Sequence, residues 1–240
     1  MSARIRALTC NLRSGKASPA ALINLINKEG IDIVCAQELS IGLAEALSGE
    51  LPFGNMSHEQ ISRGNGIASR YPVEMGRIRM PKRDGWVARL SPQHWQNLPF
   101  LIEVVNVHLS GPHLWPYFPN PVRRRAQLEA LLEDRERRSG VPHAIFGDFN
   151  SSPIWPVYKR MSARYADGAL EAGNGKLGFQ GTWPYMPWIG IKGLFRIDHC
   201  FLWKLSAERA HVMEIPGSDH LGLLVDINVC RGIASDNQRM

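Results

Sequence analysis

The sequence AIFGDFN, residues 144–150, joins a short apolar run to a polar cluster. The run at 144–146 is typical of a buried strand. Taken alone, Gly147, Asp148 and Asn150 indicate only a turn, because these residue types suit turns. The pattern becomes informative because other apolar strands of the same chain also carry carboxylates, amides or imidazoles at one end.

Six such polar clusters accompany the predicted strands, five at strand ends and one at a strand start. They are TCN at 9–11, QE at 37–38, NVH at 106–108, GDFN at 147–150, RIDH at 196–199 and SDH at 218–220. A buried carboxylate without compensation loses on the order of several kcal/mol through desolvation. Clusters of this kind in one region therefore indicate a shared function.

A hard divalent cation would offset this cost. Mg²⁺ prefers oxygen ligands, keeps several waters and takes one or two protein carboxylates. Glu38 is the first candidate ligand, and Asp219 and Asn11 are predicted to contribute directly or through water. Mn²⁺ is expected to replace Mg²⁺ in vitro, because the same oxygen ligands accept both ions.

Each cluster also has an ordinary interpretation when taken alone. A single glutamate after a strand, such as Glu38, is commonly a solvated loop residue. His108 could be a structural histidine on its strand, and SDH at 218–220 could be a cap. These interpretations would all have to coincide at strand ends of one chain, and the sequence therefore favours a common site.

Strands and helices recur along the whole chain, which favours an α/β class. Strands are predicted at 5–10, 31–36, 100–109, 144–146, 197–203 and 221–229. Ser18-Pro19 and Asn120-Pro121 are typical helix starts, and Gly30 and Gly140 are the matching ends. Ser152-Pro153 could start a short third helix. Loops are predicted at 49–66, 110–121 and 168–195.

One domain over residues 1–230, followed by a polar tail at 231–240, is the simplest organisation. The pattern alone leaves two architectures open: a doubly wound parallel sheet, or two packed mixed sheets. No nucleophile elbow or P-loop is present in the sequence, so a serine-esterase or P-loop chemistry is not indicated.

The overall charge favours polyanionic partners. The 240 residues carry a formal net charge of +6, which suits nucleic acid or an anionic membrane surface. No apolar run reaches transmembrane length and the N-terminus lacks a signal-like apolar region, so a cytoplasmic location is expected. The four cysteines form no C-x-x-C pair and are predicted to be buried free thiols in a reducing compartment.

Seven segments resemble the endonuclease/exonuclease/phosphatase family, the group of deoxyribonuclease I. They are TCNLR at 9–13, CAQEL at 35–39, GIASRYPV at 66–73, VVNVHLSGP at 104–112, IFGDFNSSP at 145–153, RIDHCFL at 196–202 and SDHLGLLVDI at 218–227. They occur in the family's order and span nearly the whole chain. The resemblance implies a four-layer α/β sandwich, in which two mixed β-sheets pack face to face with helices outside, and a site at one end.

The resemblance also implies a role for each polar residue. Glu38 resembles the main magnesium ligand with Asn11 beside it, and Asp219 an additional carboxylate on the metal side. Asp148 and Asn150 resemble the pair that positions the attacking water and the phosphate. His220 and His108 resemble the family's histidines beside the phosphate, and Asp198 resembles the carboxylate that orients the first of them.

One position departs from the family pattern, and one role stays open. Arg13 stands where some members carry an acidic residue, which argues against a second metal there and allows Arg13 to contact phosphate. The general base is either Asp148 or the Asp198–His220 pair. Asp148 is favoured as the base, with protonated His220 as the partner of the phosphate.

The substrate is predicted from two aromatic loops at 113–119 and 183–188 and from neighbouring arginines. Arginine neutralises phosphate and aromatic rings stack on bases, a combination that suits nucleic acid. The predicted substrate-binding residues are Arg13, Trp115, Arg123, Trp183 and Arg196. DNA is favoured, in endo- or exonucleolytic cleavage. A lipid phosphodiesterase of sphingomyelinase type, a small-molecule phosphatase and a non-catalytic binding module are the alternatives.

Overall fold

The computed structural model describes residues 3–57, 64–96, 98–111, 119–173 and 180–230. Most strands lie in two six-stranded sheets. The first sheet contains β1 (Ala3–Asn11), β2 (Ile33–Leu39), β3 (Phe53–Ser57), β4 (Gly64–Ser69), β13 (Ser206–Glu214) and β14 (Leu221–Val229). The second contains β5 (Glu74–Ile78), β6 (Gly85–Leu90), β7 (Ile102–His108), β8 (His143–Asp148), β9 (Ala166–Asp167) and β12 (Asp198–Trp203). A separate hairpin contains β10 (Trp183–Met186) and β11 (Ile191–Phe195).

Both large sheets are mixed. The first has the order β13-β14-β1-β2-β4-β3 and the second β5-β6-β7-β8-β12-β9. Within each sheet one central pair is parallel, β1 with β2 and β7 with β8. The other pairings are antiparallel. Because parallel strands end at the same edge, the polar clusters after these four strands come to one end of the molecule.

The four longer helices of the described residues cover the outer faces of the sheets, and a short fifth helix packs between edge strands of the two sheets, where its Ala169 joins the apolar cluster between them. The helices are α1 (Pro19–Glu29), α2 (Ile41–Glu50), α3 (Pro119–Arg137), α4 (Pro156–Ser162) and α5 (Gly168–Ala172). Leu22 of α1 and Leu43 of α2 pack with the first sheet, and Leu128 of α3 and Met161 of α4 pack with the second. A third apolar cluster, which includes Phe146, lies between the sheets. Three buried interfaces confirm the four-layer sandwich.

Two buried amides join the sheets below the polar end. Gln37 Nε2 donates to Asn106 Oδ1 over 2.7 Å. Asn106 Nδ2 donates to the carbonyl oxygens of Ala36 and Gly66 at 2.9 and 2.7 Å. Buried polar groups require such partners. Gln37 and Asn106 thus connect the two packed sheets and determine how the sheets are positioned relative to each other near the polar end.

Most predicted elements are present, with shifted boundaries. Ser18 caps α1, and Gly30 ends it in the left-handed conformation, as the sequence predicts. The helix predicted to start at Ser152-Pro153 is α4. It begins three residues later, at Pro156, with Trp155 as N-cap. The predicted loop at 49–66 contains β3, and the one at 168–195 contains α5 and the hairpin. In the predicted loop at 110–121, α3 begins at Pro119, and residues 112–118 lie outside the described part of the chain.

The four cysteines are free thiols, as predicted, but only three of them are buried. Cys230 is partly exposed and contacts the Asn228 side chain. The predicted tail at 231–240 lies outside the described residues. None of the helices within the described residues combines the length and apolar character that crossing a membrane requires.

Candidate active site

Asn11, at the end of β1, links two carboxylates from different sheets. Its Nδ2 donates to Glu38 Oε1 at 3.2 Å and to Asp148 Oδ2 at 3.1 Å. Its Oδ1 accepts from the Arg13 backbone N–H at 3.0 Å, which determines the orientation of the amide. Asn11 therefore orients both carboxylates, and the amide nitrogen rather than the oxygen faces them.

Glu38 is turned into the cleft by an irregularity in β2. The register with β4 shifts between Gln37 and Leu39, and the backbone of Glu38 has a positive φ of 58°. A bulge of this kind redirects a side chain, and a non-glycine residue at positive φ is characteristic of functional sites. Ser14 holds the carboxylate through its backbone N–H and its hydroxyl, at 2.6 and 3.0 Å from Oε2.

Asp148 is buried at the end of β8. Its Oδ1 accepts from the Asn150 backbone N–H at 2.8 Å, and its Oδ2 accepts from Asn150 Nδ2 at 3.2 Å. Burial and the negative charge of Asp198 raise the pKa of Asp148 to about 7, although His220 acts in the opposite direction. A carboxyl group with this pKa can accept a proton near neutral pH.

The turn after β8 is tightly constrained. Gly147 has a φ of 144°, and a Cβ at this position would overlap the carbonyl oxygen of Val107. Asn150 has a left-handed φ of 47°. Its Nδ2 donates to the carbonyl of Leu109 at 3.0 Å, and its own carbonyl accepts from Arg124 Nη1 at 2.6 Å. These contacts fix Asn150 beside Asp148.

His220 and Asp198 form a buried pair. His220 Nδ1 lies 2.9 Å from Asp198 Oδ2. Burial would lower the pKa of His220, but the charge and hydrogen bond of Asp198 raise it to about 9. His220 is therefore a cation at neutral pH and donates through Nδ1. Ser218 fixes the loop, since its hydroxyl donates to the Asn11 carbonyl at 2.7 Å and accepts from the His220 backbone N–H at 3.0 Å.

His108 differs from His220 in charge. Burial lowers the pKa of His108 well below its usual value, and the positive charges of Arg83 and His220 act in the same direction. His108 is therefore neutral. Its Nε2 lies 3.5 Å from Asp148 Oδ2 and 3.9 Å from Glu38 Oε1, without the attraction of an ion pair.

These side chains surround a single cleft of about 340 Å³. Eight of the predicted site residues line it: Arg13, Glu38, His108, Asp148, Asn150, Trp183, Asp219 and His220. Among them, Trp183 has its ring centroid 6.3 Å from that of His220. Asn11 and Asp198 lie directly behind this lining and contact it through hydrogen bonds.

Two cations of the cleft were missed by the sequence analysis. Lys82 and Arg83 line its wall from the turn between β5 and β6. Gln127 and Asn65 anchor this turn by donating to the carbonyls of Pro81 and Asp84, both at 2.9 Å. The available signal was the sequence MPKRDG at 80–85, which places two basic residues in a turn just before a strand.

Two of the arginines that were predicted to bind substrate do not line the cleft. Arg196 is buried and pairs with Asp167 at 2.7 Å, with its guanidinium over the Tyr158 ring, so it cannot reach a ligand in the cleft. Arg123 contacts Asn120 at 3.2 Å and is not part of the cleft wall. Its neighbour Arg124 reaches the site instead. Trp115 lies outside the described residues.

The oxygen-rich side of the cleft fits a hard cation. The carboxylates of Glu38 and Asp219 line the cleft and are about a quarter to a third exposed, at 26% and 32%. Water can therefore complete the coordination shell that Mg²⁺ retains. Asp148, Asp198 and His220 also place ligand atoms within 4.8 Å of one another. That group fits a cation less well, because His220 is protonated and already bonded to Asp198.

Comparison of the sequence with models of known protein families gives a match over most of the chain. A sequence model described as the Endonuclease/Exonuclease/phosphatase family matches residues 8–220. A search of curated protein sequences found no significant match.

Solved structures with the same fold differ in what they bind. The human Nocturnin catalytic domain with bound sulfate is 20% identical, with a TM-score of 0.70 over 93% of this chain and 94% of that chain. D. rerio TDP2 in complex with a single-strand DNA product is 14% identical, with a TM-score of 0.74 over 94% and 99%. A mannosyl-6-phosphatase from Bacteroides thetaiotaomicron is 15% identical, with a TM-score of 0.70 over 93% and 99%. At these identities the likeness shows the fold alone.

Proposed function

Because this chain belongs to the endonuclease/exonuclease/phosphatase family, whose members are phosphoester hydrolases, we propose that it is a magnesium-dependent phosphodiesterase. The reaction is an in-line attack of water on phosphorus, without a covalent intermediate. The observation that carries this proposal is the Asn11 amide, which donates to Glu38 and to Asp148 and so joins a cation-binding carboxylate to a proton-accepting one.

The residues divide the chemistry between them. Asp148, with its pKa near 7, accepts the proton of the attacking water, which Asn150 helps to position. The His220 cation donates a hydrogen bond to the phosphate and is kept charged by Asp198. A divalent cation held by Glu38 and Asp219 would supply Lewis-acid stabilisation of the phosphate and of the leaving oxygen, and Asn11, predicted as a further ligand, would instead orient Glu38 through its amide nitrogen.

The cations of the cleft oppose the charge of a phosphodiester. Arg13, Lys82 and Arg83 line the wall around the proposed phosphate position. Positive side chains in a cleft concentrate an anionic substrate and stabilise charge that spreads over the phosphate oxygens. This charge and the aromatic wall at Trp183 favour DNA as the substrate, with weak dependence on sequence because no base-reading module is recognised.

A lipid phosphodiester is the second candidate. The hairpin of β10 and β11, which begins at Trp183 in the cleft wall, exposes large apolar side chains. Such side chains suit the interface of a membrane. The same catalytic groups would serve either diester, so only turnover of defined substrates distinguishes the two candidates.

A side-by-side substrate assay tests the proposal. Plasmid DNA, single-stranded oligonucleotides, sphingomyelin in vesicles and a soluble phosphomonoester are incubated with the protein and Mg²⁺, and again with excess EDTA. We expect EDTA-sensitive DNA cleavage that Mg²⁺ restores. Turnover of the lipid without DNA cleavage would support the second candidate. Absence of turnover on every substrate with Mg²⁺ or Mn²⁺ would contradict the enzymatic function.

A further inference from the structure

The hairpin of β10 and β11 exposes apolar side chains at its tip, Trp188 and Ile189, and on β11 nearer its base, Leu194 and Phe195. Trp188, Ile189 and Leu194 are 67%, 61% and 65% exposed, and Phe195 is 45% exposed. These four side chains lie within eight successive residues. Isolated exposed hydrophobic residues are normal on protein surfaces, but four large ones on one short hairpin indicate an interaction site.

The composition of the tip indicates which partner it fits. Between Trp183 and Phe195 the only charged residue is Lys192. Interfaces with nucleic acid are polar and rich in cations, and the aliphatic side chains of Ile189 and Leu194 offer no stacking surface for bases. Tryptophan beside aliphatic residues is instead typical of segments that enter the interfacial region of a bilayer.

Charge around the tip complements an anionic surface. Lys192 lies in the hairpin, and Arg13, Lys82 and Arg83 line the cleft from which the hairpin extends. The whole chain has a formal net charge of +6. Cations near a membrane surface are attracted by acidic lipids. Apolar contact and charge attraction thus act at the same end of the molecule.

The base of the hairpin is attached directly to the active site. Tyr185 N donates to the Asp219 carbonyl at 2.7 Å, and the Tyr185 hydroxyl contacts Glu214 at 2.9 Å. Thr182 N donates to the Phe195 carbonyl at 2.8 Å, and the Thr182 hydroxyl accepts from the Asp198 backbone N–H at 3.2 Å. The position of the tip is therefore determined relative to the cleft.

We propose that the β10–β11 hairpin is a membrane-docking element, in which Trp188, Ile189 and Leu194 enter the interfacial region of a bilayer that contains anionic lipids. Docking holds the mouth of the cleft at the lipid surface. The proposal rests on the hairpin and on its charged surroundings, and it applies to whichever phosphodiester the cleft hydrolyses.

Vesicle co-sedimentation tests the docking without any turnover. The full chain is incubated in EDTA with vesicles of phosphatidylcholine alone or of phosphatidylcholine and phosphatidylglycerol. We expect binding to the anionic vesicles, which Trp188→Ser and Leu194→Ser each weaken about tenfold, the loss expected when one large buried apolar side chain is removed. Leu101→Ser is the matched control, because Leu101 is exposed just before β7, at the end of that strand opposite His108.

The outcomes separate docking from the hydrolytic function. Failure of the wild-type protein to bind anionic vesicles, or an equal loss in Leu101→Ser, would overturn the docking proposal and leave the hydrolase assay unaffected. Two further results would also overturn it: self-association that Trp188→Ser abolishes, measured by sedimentation velocity, or oligonucleotide binding that Leu194→Ser weakens, measured by fluorescence anisotropy. Thermal unfolding of each variant verifies that it is folded.

Discussion

Gln37 on β2 and Asn106 on β7 connect the two sheets through a fully buried side-chain hydrogen bond of 2.7 Å. Glu38 follows Gln37 directly, and His108 lies two residues after Asn106. The amide pair therefore determines how far apart the two sheets hold these cleft residues. The same polar clusters that predict the site also contain the residues that keep its two halves together.

Replacement of Asn106 should destabilise the fold. In Asn106→Ala, the carbonyls of Ala36 and Gly66 lose their donor, and buried groups without partners are unfavourable. We expect the free energy of unfolding to fall by about 2–5 kcal/mol in urea titrations. Asn55→Ala, at an exposed position of β3, is the control. Equal stability of the two variants would show that the amide pair does not hold the sheets together.

Removal of the groups around the proposed phosphate position should abolish turnover while leaving the fold intact. Glu38→Ala, Asp148→Ala and His220→Ala are each expected to lower kcat by more than about 10²-fold. Steady-state kinetics with Mg²⁺ and the preferred diester measures the effect. Glu45→Ala, at an exposed position of α2, serves as the control. Wild-type turnover in a folded variant would remove that residue from the mechanism.

Activity should depend on pH through two groups. As a base, Asp148 must be ionised, so activity rises with pH up to its pKa of about 7, and a bound cation moves this limb to lower pH. His220 must be protonated, so activity falls again as the pH approaches 9. Asp198→Asn removes the carboxylate that stabilises the His220 cation.

A pH profile of kcat/KM for Asp198→Asn checks this assignment. Its alkaline limb should lie about 1–3 pH units lower than that of the wild type, since a nearby opposite charge shifts a pKa by this amount. The acidic limb should not move to higher pH. The charge of Asp198 raises the pKa of Asp148, so its removal in the variant acts to lower that pKa. An unchanged alkaline limb would exclude His220 as the titrating group.

Arg196 should affect stability in a pH-dependent way. Burial raises the pKa of Asp167, but the hydrogen bonds from Arg196 lower it below the ordinary 3.8. The stabilisation is therefore complete above pH 3.8 and is lost as the pH falls through the lower folded-state value.

Urea titrations of Arg196→Met test this pair. We expect a loss of about 3–5 kcal/mol at pH 7, because a buried carboxylate remains without its partner. The difference from wild type should shrink near pH 3, where Asp167 becomes protonated, and the additional change Asp167→Asn should restore part of the loss at pH 7. An equal loss at both pH values would show that the effect is one of packing alone.

Arg124 should act on turnover through Asn150. Its guanidinium holds the carbonyl of a residue with left-handed backbone, so Arg124→Met allows Asn150 to move away from Asp148. We expect kcat to fall roughly tenfold, since small misplacements of positioning groups have effects of this size or larger. Arg125→Met, an exposed neighbour that pairs with Glu129, should leave kcat unchanged. A change confined to KM would argue that Arg124 binds substrate.

The sequence predicts the strands that carry the polar clusters because apolar runs next to carboxylates are strong local signals. It does not reveal α2, whose segment contains Gly42 and Gly49, both poor helix formers; Ser40 caps this helix, and its packing on the first sheet stabilises it. For a similar reason the sequence predicts a loop where the hairpin lies at 183–195, because Pro184 and Gly193 are unusual in strands.

The site was predicted more completely than its surroundings. Asn11, Glu38 and Asp148 lie at or near strand ends and His220 directly before β14, so these four come together in the structure, while their roles stay predictions. The sequence does not predict where an arginine side chain lies. Arg196 and Arg83 are both next to strands, but Arg196 is buried in an ion pair with Asp167, whereas Arg83 lines the cleft from the β5–β6 turn. Contacts between residues distant in sequence decide this, and no local pattern contains them.

The position of β14 has a consequence for synthesis of the chain. β14 lies between β13 and β1 in the first sheet, and it is the last strand described. Asp219 and His220 come just before it. A ribosome must therefore deliver the chain through β14 before β1 gains its second neighbour, and through residue 220 before the cleft gains the His220 imidazolium. Translation products that stop before residue 219 lack both, so the candidate catalytic groups are assembled only in chains that extend into β14.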